Sequence, residues 1–258
     1  MVFVIYLLEF NFRTYCFLFL QGFLQERAQV TYLANLLTIL SLFCGFASVI
    51  LSLEGHFTFS ALVIILSVIF DGLDGQVARK SKSSSDFGKE LDSLVDVVSF
   101  GIAPALLGYI FIYDNFHFSA AVALFIYLLC AVIRLAKYNT TPQEAGHNYF
   151  TGLPITVSGG MLASFVLIYR KAMFLKFIPV LFISLVLLLA SLMVSAVRFP
   201  NLDGLRQFLG KRLKVTMLSL FLILSLALYL DKAGLALFLI FLTYLIFSPF
   251  VVKRLDSI

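Results

Sequence analysis

Residues 71–96 read DGLDGQVARKSKSSSDFGKELDSLVD, and this stretch decides how the chain can fold. Four of its five aspartates, Asp71, Asp74, Asp92 and Asp96, form two pairs spaced three and four residues apart in a chain that is otherwise strongly apolar. An ionisable side chain at bilayer depth is energetically costly, so a cluster of them indicates a functional site. Neighbouring carboxylates also repel one another unless cations lie between them. The stretch therefore predicts a metal site within a membrane protein.

The spacing of these acidic residues predicts two helices that face each other. Asp71 and Asp74 are three residues apart and share a helical face, while Gly88, Asp92 and Asp96 follow at steps of four. Two such helices, joined by the serine-rich turn between them, would bring the four carboxylates together. Oxygen ligands of this kind suit Mg²⁺, Mn²⁺ or Ca²⁺ better than zinc. The alternative to a metal site is that the aspartates cap helices or pair with basic neighbours. That alternative accounts for one or two of the aspartates rather than all four.

Composition independently indicates a membrane protein. Hydrophobic residues make up 61% of the 258 residues and charged residues 13%, and the mean hydropathy is +1.02, which is far from the composition of a soluble domain. About 20 apolar residues span a bilayer. We therefore predict an all-α polytopic integral membrane protein with about eight transmembrane helices, at residues 31–52, 58–76, 93–113, 118–138, 153–170, 174–196, 213–230 and 233–251.

The same pattern suggests three parts in one membrane unit. Residues 1–28 alternate apolar runs with charged residues and are expected to form a segment that lies in the membrane interface. Residues 29–200 would form a six-helix core that carries the four aspartates. Residues 201–258 would add a C-terminal transmembrane hairpin.

Basic residues predict the orientation in the membrane. With eight spans, 15 of the 19 Lys and Arg residues fall on the side of both termini and the aspartates; the other four are Arg170, Lys171, Lys176 and Lys232. Because cytoplasmic loops carry an excess of Lys and Arg, both termini and the aspartate site are expected on the cytoplasmic face, in a bacterial inner membrane. The net charge of +5 then reflects topology and affinity for an anionic lipid bilayer, and no nucleic-acid partner is expected.

Residues 71–96 have the form D-G-x-D-G-x2-A-R-x8-G-x3-D-x3-D. This pattern resembles the signature of the CDP-alcohol phosphatidyltransferase family at every fixed position. The resemblance implies an integral membrane enzyme with two divalent metal ions, which moves a phosphatidyl group from a CDP-linked lipid onto an alcohol.

Three further segments resemble the phosphatidylserine synthase branch of that family, and the likeness extends over about residues 30–200. They are Asn35–Thr38, the R-L-A-K-Y-N run at 134–139 and the F-T-G-L-P run at 150–154. The branch implies CDP-diacylglycerol and L-serine as substrates, with CMP released. A same-family transferase that uses glycerol 3-phosphate or inositol phosphate is the first alternative, and it would need more cationic side chains near the acceptor. A divalent-metal transporter is the second, and it would need acidic residues at intermediate depths on several helices.

The resemblance also implies roles for individual residues. Two metal ions, Mg²⁺ or Mn²⁺ with Ca²⁺ as a further option, would be held by Asp71, Asp74, Asp92 and Asp96, and Asp96 is also the candidate catalytic base. The CDP-diacylglycerol side would be formed by Asn35, Thr38, Gly72, Gly75, Ala78, Arg79 and Gly88. Arg134 would hold serine or phosphate, with an interfacial snorkelling role as its alternative. Helix–helix hydrogen bonding is the alternative for the two polar side chains of the first span. Family analogy leaves a homodimer through the third and fourth spans as an open alternative to a monomer.

Overall fold

A computed structural model describes residues 29–81, 86–112, 117–140, 149–169, 177–209 and 232–255. Its elements are, in chain order, α1 (Gln29–Leu53), α2 (Phe57–Ser81), α3 (Asp86–Asp96), a π-helical turn (Val97–Ile102), α4 (Ala103–Ile112), α5 (His117–Thr140), β1 (Tyr149–Thr151), α6 (Ile155–Tyr169), α7 (Phe177–Val194), β2 (Arg198–Pro200), α8 (Leu202–Leu209) and α9 (Ala233–Leu255). Across these described residues the fold is all-α apart from two three-residue strands, which confirms the predicted fold class.

Six helical stretches within the described residues are long and apolar enough to cross a membrane. They are Tyr32–Leu53, Phe57–Val77, Phe87–Ile112, His117–Thr140, Phe177–Val194 and Ala233–Arg254. The third stretch is continuous through α3, the π-helical turn and α4. Many of the outward-facing side chains are large and apolar, as lipid contact requires. The protein is therefore a polytopic integral membrane protein.

Two of the eight predicted spans differ from these six. The span predicted at 153–170 corresponds to α6, which has only 15 residues and buries most of them inside the protein. At 1.5 Å per residue this helix is about 22 Å long, which is shorter than the hydrocarbon core of roughly 30 Å. The span predicted at 213–230 and the interfacial segment 1–28 lie outside the described residues, so the count of eight stays a prediction. The third span also begins earlier than predicted, at Phe87 rather than 93.

Aromatic packing joins α4 to α7 at the centre of the protein. The Phe182 ring lies 5.3 Å from that of Phe165 and 6.4 Å from that of Phe111, measured between centroids. Gly108 of α4 lets the Phe182 ring approach, since a β-carbon there would overlap it. All three rings are buried, and their packing holds α6 and α7 against the helix that carries Asp92 and Asp96.

A two-stranded clip closes one end of the helical bundle. Strand β1 pairs with β2 in antiparallel register, with Phe150 opposite Phe199. Gly152 follows β1 with φ +81°, and its N–H donates to the Val197 carbonyl at 2.8 Å. A β-carbon at Gly152 would collide with the backbone carbonyl oxygen of Met193. Glycine is therefore required here for its conformation and for the close approach of two backbones.

Gly152→Ala is expected to lower the unfolding temperature of the purified protein sharply. A left-handed conformation alone costs a residue with a β-carbon about 1–2 kcal/mol, and the collision with Met193 adds to this because a backbone atom cannot move aside. Gly55→Ala is the matched control, since Gly55 has φ +78° and open space around its β-carbon position. Thermal unfolding in detergent should show the larger loss in Gly152→Ala. Equal losses in the two variants would contradict the packing argument.

Candidate active site

Helices α2 and α3 bring three aspartates to one point. Asp71 and Asp74 lie on the last turns of α2, and Asp92 lies near the end of α3. Each contributes a carboxylate oxygen to a group whose members all lie within 4.8 Å of one another. The i,i+3 spacing puts Asp71 and Asp74 on one face of α2, and α3 brings Asp92 to them. The group thus contains three of the four aspartates that the sequence predicts to converge.

Thr38 of α1 orients one of these carboxylates. Its hydroxyl donates to Asp74 Oδ2 at 2.8 Å, and the Asp74 side chain is only 5% exposed. One turn further along α1, the Ser41 and Ser67 hydroxyls lie 2.7 Å apart and join α1 to α2. The hydrogen bond to Asp74 places Thr38 at the carboxylate cluster. It fits both of the predicted alternatives, a role in ligand binding and hydrogen bonding between helices. Its predicted contact with the nucleotide stays a prediction.

Asp96 lies next to the cluster, on the last residue of α3. It is 9% exposed, and its carboxyl group approaches that of Asp71 closely enough for a side-chain hydrogen bond. Its Oδ1 atom is buried with no hydrogen-bond partner among the described residues. Two carboxyl groups at such a distance require a proton or a cation between them, because two adjacent negative charges repel strongly.

The residues present fit a divalent cation. The donor set consists of carboxylate oxygens, which are the ligands that Mg²⁺, Mn²⁺ and Ca²⁺ prefer. A buried carboxylate oxygen without a partner is unusual in proteins and indicates an ion or water that completes its coordination. Asp71, Asp74 and Asp92 can therefore hold a metal ion, and Asp96 has a buried oxygen, Oδ1, without a hydrogen-bond partner among the described residues.

Arg134 of α5 lies beside these acidic residues. Its guanidinium group is within electrostatic range of Asp96 and Asp71 and lies 5.9 Å from the centre of the Tyr138 ring. Its Nε atom is buried without a hydrogen-bond partner among the residues that the structure describes. A half-buried guanidinium whose buried Nε is without a partner among the described residues suits an anionic group such as a phosphate or a carboxylate.

The two segments after Arg134 and before α6 meet near the same place. Tyr138 packs against Phe150 with ring centroids 5.7 Å apart. Asn139 donates to the Ser93 hydroxyl at 2.9 Å, which ties the end of α5 to α3 directly after Asp92. The segments that the sequence associates with the acceptor are thus in contact with each other and with the helix that carries the acidic residues.

The other residues predicted to bind CDP-diacylglycerol lie on α1, α2 and α3. Asn35 lies about one turn before Thr38 and is half-buried, and Gly75 and Gly88 are also half-buried. Gly72 borders open space, since no atom of the described part of the chain lies within 4 Å of the position of its missing β-carbon. Ala78 and Arg79 continue α2, but their side chains lie outside the described part of the chain, so their predicted contacts stay predictions.

Two tyrosines near the site were not among the residues predicted from the sequence. Tyr127 of α5 is fully buried and donates to the backbone carbonyl of Phe100 at 2.8 Å, shortly after Asp96. Tyr244 of α9 donates to the carbonyl of Pro200 at 3.0 Å and is within electrostatic range of Arg134. Pro104, inside a predicted span, was the one sequence signal for the Tyr127 contact, because a proline there disturbs the helix. The sequence contained no such signal for the Tyr244 contact.

Sequence comparison agrees with this geometry. The sequence profile of the CDP-alcohol phosphatidyltransferase family matches residues 31–197, which is more than half of the chain and contains all four aspartates. The chain belongs to this family. It is thus a member of a family of transferases, and the resemblance in residues 71–96 is confirmed.

Three relatives illustrate the part of the family to which the chain is similar. A CDP-diacylglycerol–serine O-phosphatidyltransferase from Helicobacter pylori is 36% identical over 168 residues, which cover 65% of this chain and 71% of the relative. The archaetidylserine synthase of Methanothermobacter thermautotrophicus is 37% identical over 67% of this chain and 71% of its own length. A CDP-diacylglycerol–serine O-phosphatidyltransferase from Bacillus subtilis is 33% identical over 67% of this chain and 92% of its own.

Proposed function

We propose that the protein transfers the phosphatidyl group of CDP-diacylglycerol to the hydroxyl of L-serine, giving phosphatidylserine and CMP. The observation that carries this proposal is the group of similar relatives. Their names specify different lipids, phosphatidyl and archaetidyl, but share serine. The acceptor is therefore the better supported half of the reaction, and diacylglycerol is supported by the more numerous phosphatidyl relatives.

The chain's own residues would divide the chemistry between them. Asp96 accepts the proton of the serine hydroxyl, because its buried Oδ1 is a carboxylate oxygen without another partner among the described residues. The serine oxygen then forms a bond to the phosphorus that carries diacylglycerol. The bond from that phosphorus to the oxygen that bridges the two phosphates breaks, and CMP leaves with the bridging oxygen.

Asp71, Asp74 and Asp92 would hold divalent metal at the cluster, and Asp96 with Asp71 would complete a second position. Mg²⁺ or Mn²⁺ bound there supplies charge that neutralises the diphosphate as the phosphorus–oxygen bond breaks. Thr38 keeps the Asp74 carboxylate in its rotamer through the 2.8 Å hydrogen bond. Gly72 leaves open space beside the cluster, which suits the approach of the nucleotide, and Gly75, Gly88, Ala78 and Arg79 would line the same side with Asn35.

Arg134 would bind the serine carboxylate or a phosphate oxygen. Its buried Nε and its proximity to Asp96 support this role, since a bound anion would lie within reach of the base. Guanidinium holds both kinds of anion through paired hydrogen bonds. A lysine at this position would offer a single point charge and lose that geometry.

We further propose that the site faces the cytoplasm of a bacterial cell, with both termini on the same side of the inner membrane. The excess of Lys and Arg on the side of the aspartates supports this orientation. The division into an interfacial segment, a core at 29–200 and a C-terminal hairpin belongs to the same proposal, and the matched residues 31–197 fall within that core. A homodimer through the third and fourth spans is the quaternary state suggested by family analogy.

Purified protein with CDP-diacylglycerol and Mn²⁺ is expected to consume serine and release CMP in equal amounts. In a panel of labelled acceptors, glycerol 3-phosphate and inositol phosphate should react at less than about a hundredth of the serine rate, because a site that positions one acceptor loses transition-state contacts with another. Thin-layer separation of labelled lipid products measures each acceptor directly.

An assay without acceptor controls for hydrolysis of the donor. Faster turnover of a phosphorylated acceptor would refute the serine assignment and leave the family assignment intact. Absence of CMP release with every acceptor, in protein that binds the donor, would refute the proposed reaction itself.

A further inference from the structure

The helix that carries Asp92 and Asp96 changes its winding immediately after Asp96. Residues Val97–Ile102 form a π-helical turn, and the Ala103 N–H donates to the Val98 carbonyl, five residues earlier. A π-helical turn is rare and often lies at a functional site. The extra residue per turn rotates α3 about the helix axis relative to α4. It therefore determines on which side of the helix Asp92 and Asp96 lie.

Pro104 explains why the turn forms here. Proline has no N–H, so it cannot donate to the carbonyl four residues earlier, which is that of Phe100. The pyrrolidine ring also crowds that carbonyl and disfavours regular α-helical winding. The Tyr127 hydroxyl donates to the Phe100 carbonyl instead, at 2.8 Å, and both residues are fully buried. The Tyr127 hydroxyl also lies 3.1 Å from that of Ser158 on α6.

Three helices hold the π-helical turn from different sides. From α1, Ser41 accepts at its carbonyl a hydrogen bond from the Ser99 hydroxyl at 3.0 Å, and Gly45 leaves no room for a β-carbon against Ser99. From α6, Gly159 lies against the Phe100 backbone, where a β-carbon would meet Cα and the carbonyl oxygen at 3.1 Å. From α5, Tyr127 supplies the hydrogen bond described above. The turn is thus fixed to the core.

We infer that Tyr127 is a positioning residue for the carboxylate cluster: by holding the Phe100 carbonyl it fixes the π-helical turn, and through that turn the place of Asp92 and Asp96 opposite Asp71 and Asp74. The inference rests on the proposal that the cluster binds divalent cations. The simpler interpretation is that the hydroxyl only satisfies a buried carbonyl, as buried tyrosines commonly do. The two interpretations predict different results for a Tyr127 variant in which another group donates to the Phe100 carbonyl. Simple satisfaction predicts that Mn²⁺ binding recovers with stability, whereas positioning predicts that stability alone recovers.

Mn²⁺ binding to purified protein, followed by the electron paramagnetic resonance signal of free Mn²⁺, tests the inference without reference to turnover. Tyr127→Phe should weaken Mn²⁺ binding about fivefold or more, the factor that corresponds roughly to one hydrogen bond, and lower kcat while the KM for serine changes less than about twofold. Ser164→Ala is the control, because it removes another fully buried hydroxyl bonded to a backbone carbonyl, at 2.9 Å, away from the turn. It should bind Mn²⁺ like the wild type.

Pro104→Ala separates positioning from simple hydrogen-bond satisfaction. The substitution introduces a backbone N–H that can donate to the Phe100 carbonyl, and it removes the ring that disfavours α-helical winding. The variant should therefore unfold at no lower temperature than the wild type yet bind Mn²⁺ more weakly. In the double variant Tyr127→Phe/Pro104→Ala, the unfolding temperature should recover while Mn²⁺ binding remains weak.

Recovery of Mn²⁺ binding together with stability in the double variant would overturn the inference, as would wild-type Mn²⁺ binding in folded Tyr127→Phe. If Tyr127→Phe does not fold, unchanged binding in Pro104→Ala overturns it. A wild-type protein that binds no Mn²⁺ would instead refute the proposed cation site, and this inference with it.

Discussion

Asp92→Asn is expected to lose turnover by about a thousandfold or more and to lose Mn²⁺ binding, while the metal-free protein becomes more stable. Asp71, Asp74 and Asp92 hold carboxylate oxygens within 4.8 Å of one another, so their charges repel when no cation lies between them. Removal of one charge relieves that repulsion in EDTA. The same change removes a ligand for the cation, whose charge is worth several kcal/mol in the transition state. Asp71→Asn and Asp74→Asn should behave in the same way.

Thermal unfolding with and without Mn²⁺ measures both effects in one experiment. In EDTA the Asp92→Asn variant should unfold at a higher temperature than the wild type. Mn²⁺ should raise the unfolding temperature of the wild type but not that of Asp92→Asn. Glu90→Gln is the matched control, because it removes one negative charge from the same helix at an exposed position. It should keep the Mn²⁺ response and the turnover. Full activity of two of the three aspartate variants, or of the wild type in excess EDTA, would refute the metal site.

The convergence of the aspartates could be predicted because it depends on local spacing. Residues three or four apart share a helical face whatever the rest of the fold does, so Asp71 with Asp74 and Asp92 with Asp96 had to form two stripes. Their charge within an apolar chain then left few places where they could lie other than against each other. The family signature added the chemistry, and sequence comparison confirmed the family over residues 31–197.

The span predicted at 153–170 falls on α6, whose 15 described residues are mostly buried inside the protein. Hydropathy measures how apolar a segment is, and it has the same value whether the segment contacts lipid or the protein core. Helix α6 is apolar on all sides because it is buried within the protein. The short β1–β2 clip at its N-terminal end depends on a pairing between segments almost 50 residues apart, which no local pattern records.

The tyrosine contacts could not be predicted, because their partners are backbone carbonyls. Any residue has a carbonyl, so the sequence gives no information about which one the Tyr127 or Tyr244 hydroxyl will find, 27 and 44 residues away. Pro104 marked where a carbonyl would lose its helical donor, but the identity of the replacement donor depends on how α5 packs. Such contacts are decided by tertiary structure alone.

Asp96→Asn is expected to separate catalysis from binding. If Asp96 is the base, the variant should retain at least one bound Mn²⁺ at the Asp71–Asp74–Asp92 cluster and should bind CDP-diacylglycerol, because those three carboxylates are intact. Its transfer step should slow by about 10²–10⁴-fold, since an amide cannot accept the serine proton. Single-turnover release of CMP, measured beside donor binding, checks this directly. Asp92→Asn is the comparison, since it should fail at the binding step.

The stereochemistry at phosphorus tests the same assignment independently. Direct attack by the serine oxygen, with Asp96 taking the proton, predicts inversion at a donor made chiral with oxygen isotopes or sulfur, and no phosphatidyl-enzyme intermediate. Retention would require two successive displacements and therefore a covalent adduct on a side chain of the protein. In that case the buried Oδ1 of Asp96 would be a candidate nucleophile rather than a base. A variant that keeps both transfer and inversion without the Asp96 carboxylate would instead assign the proton to another acceptor and leave Asp96 as a metal ligand.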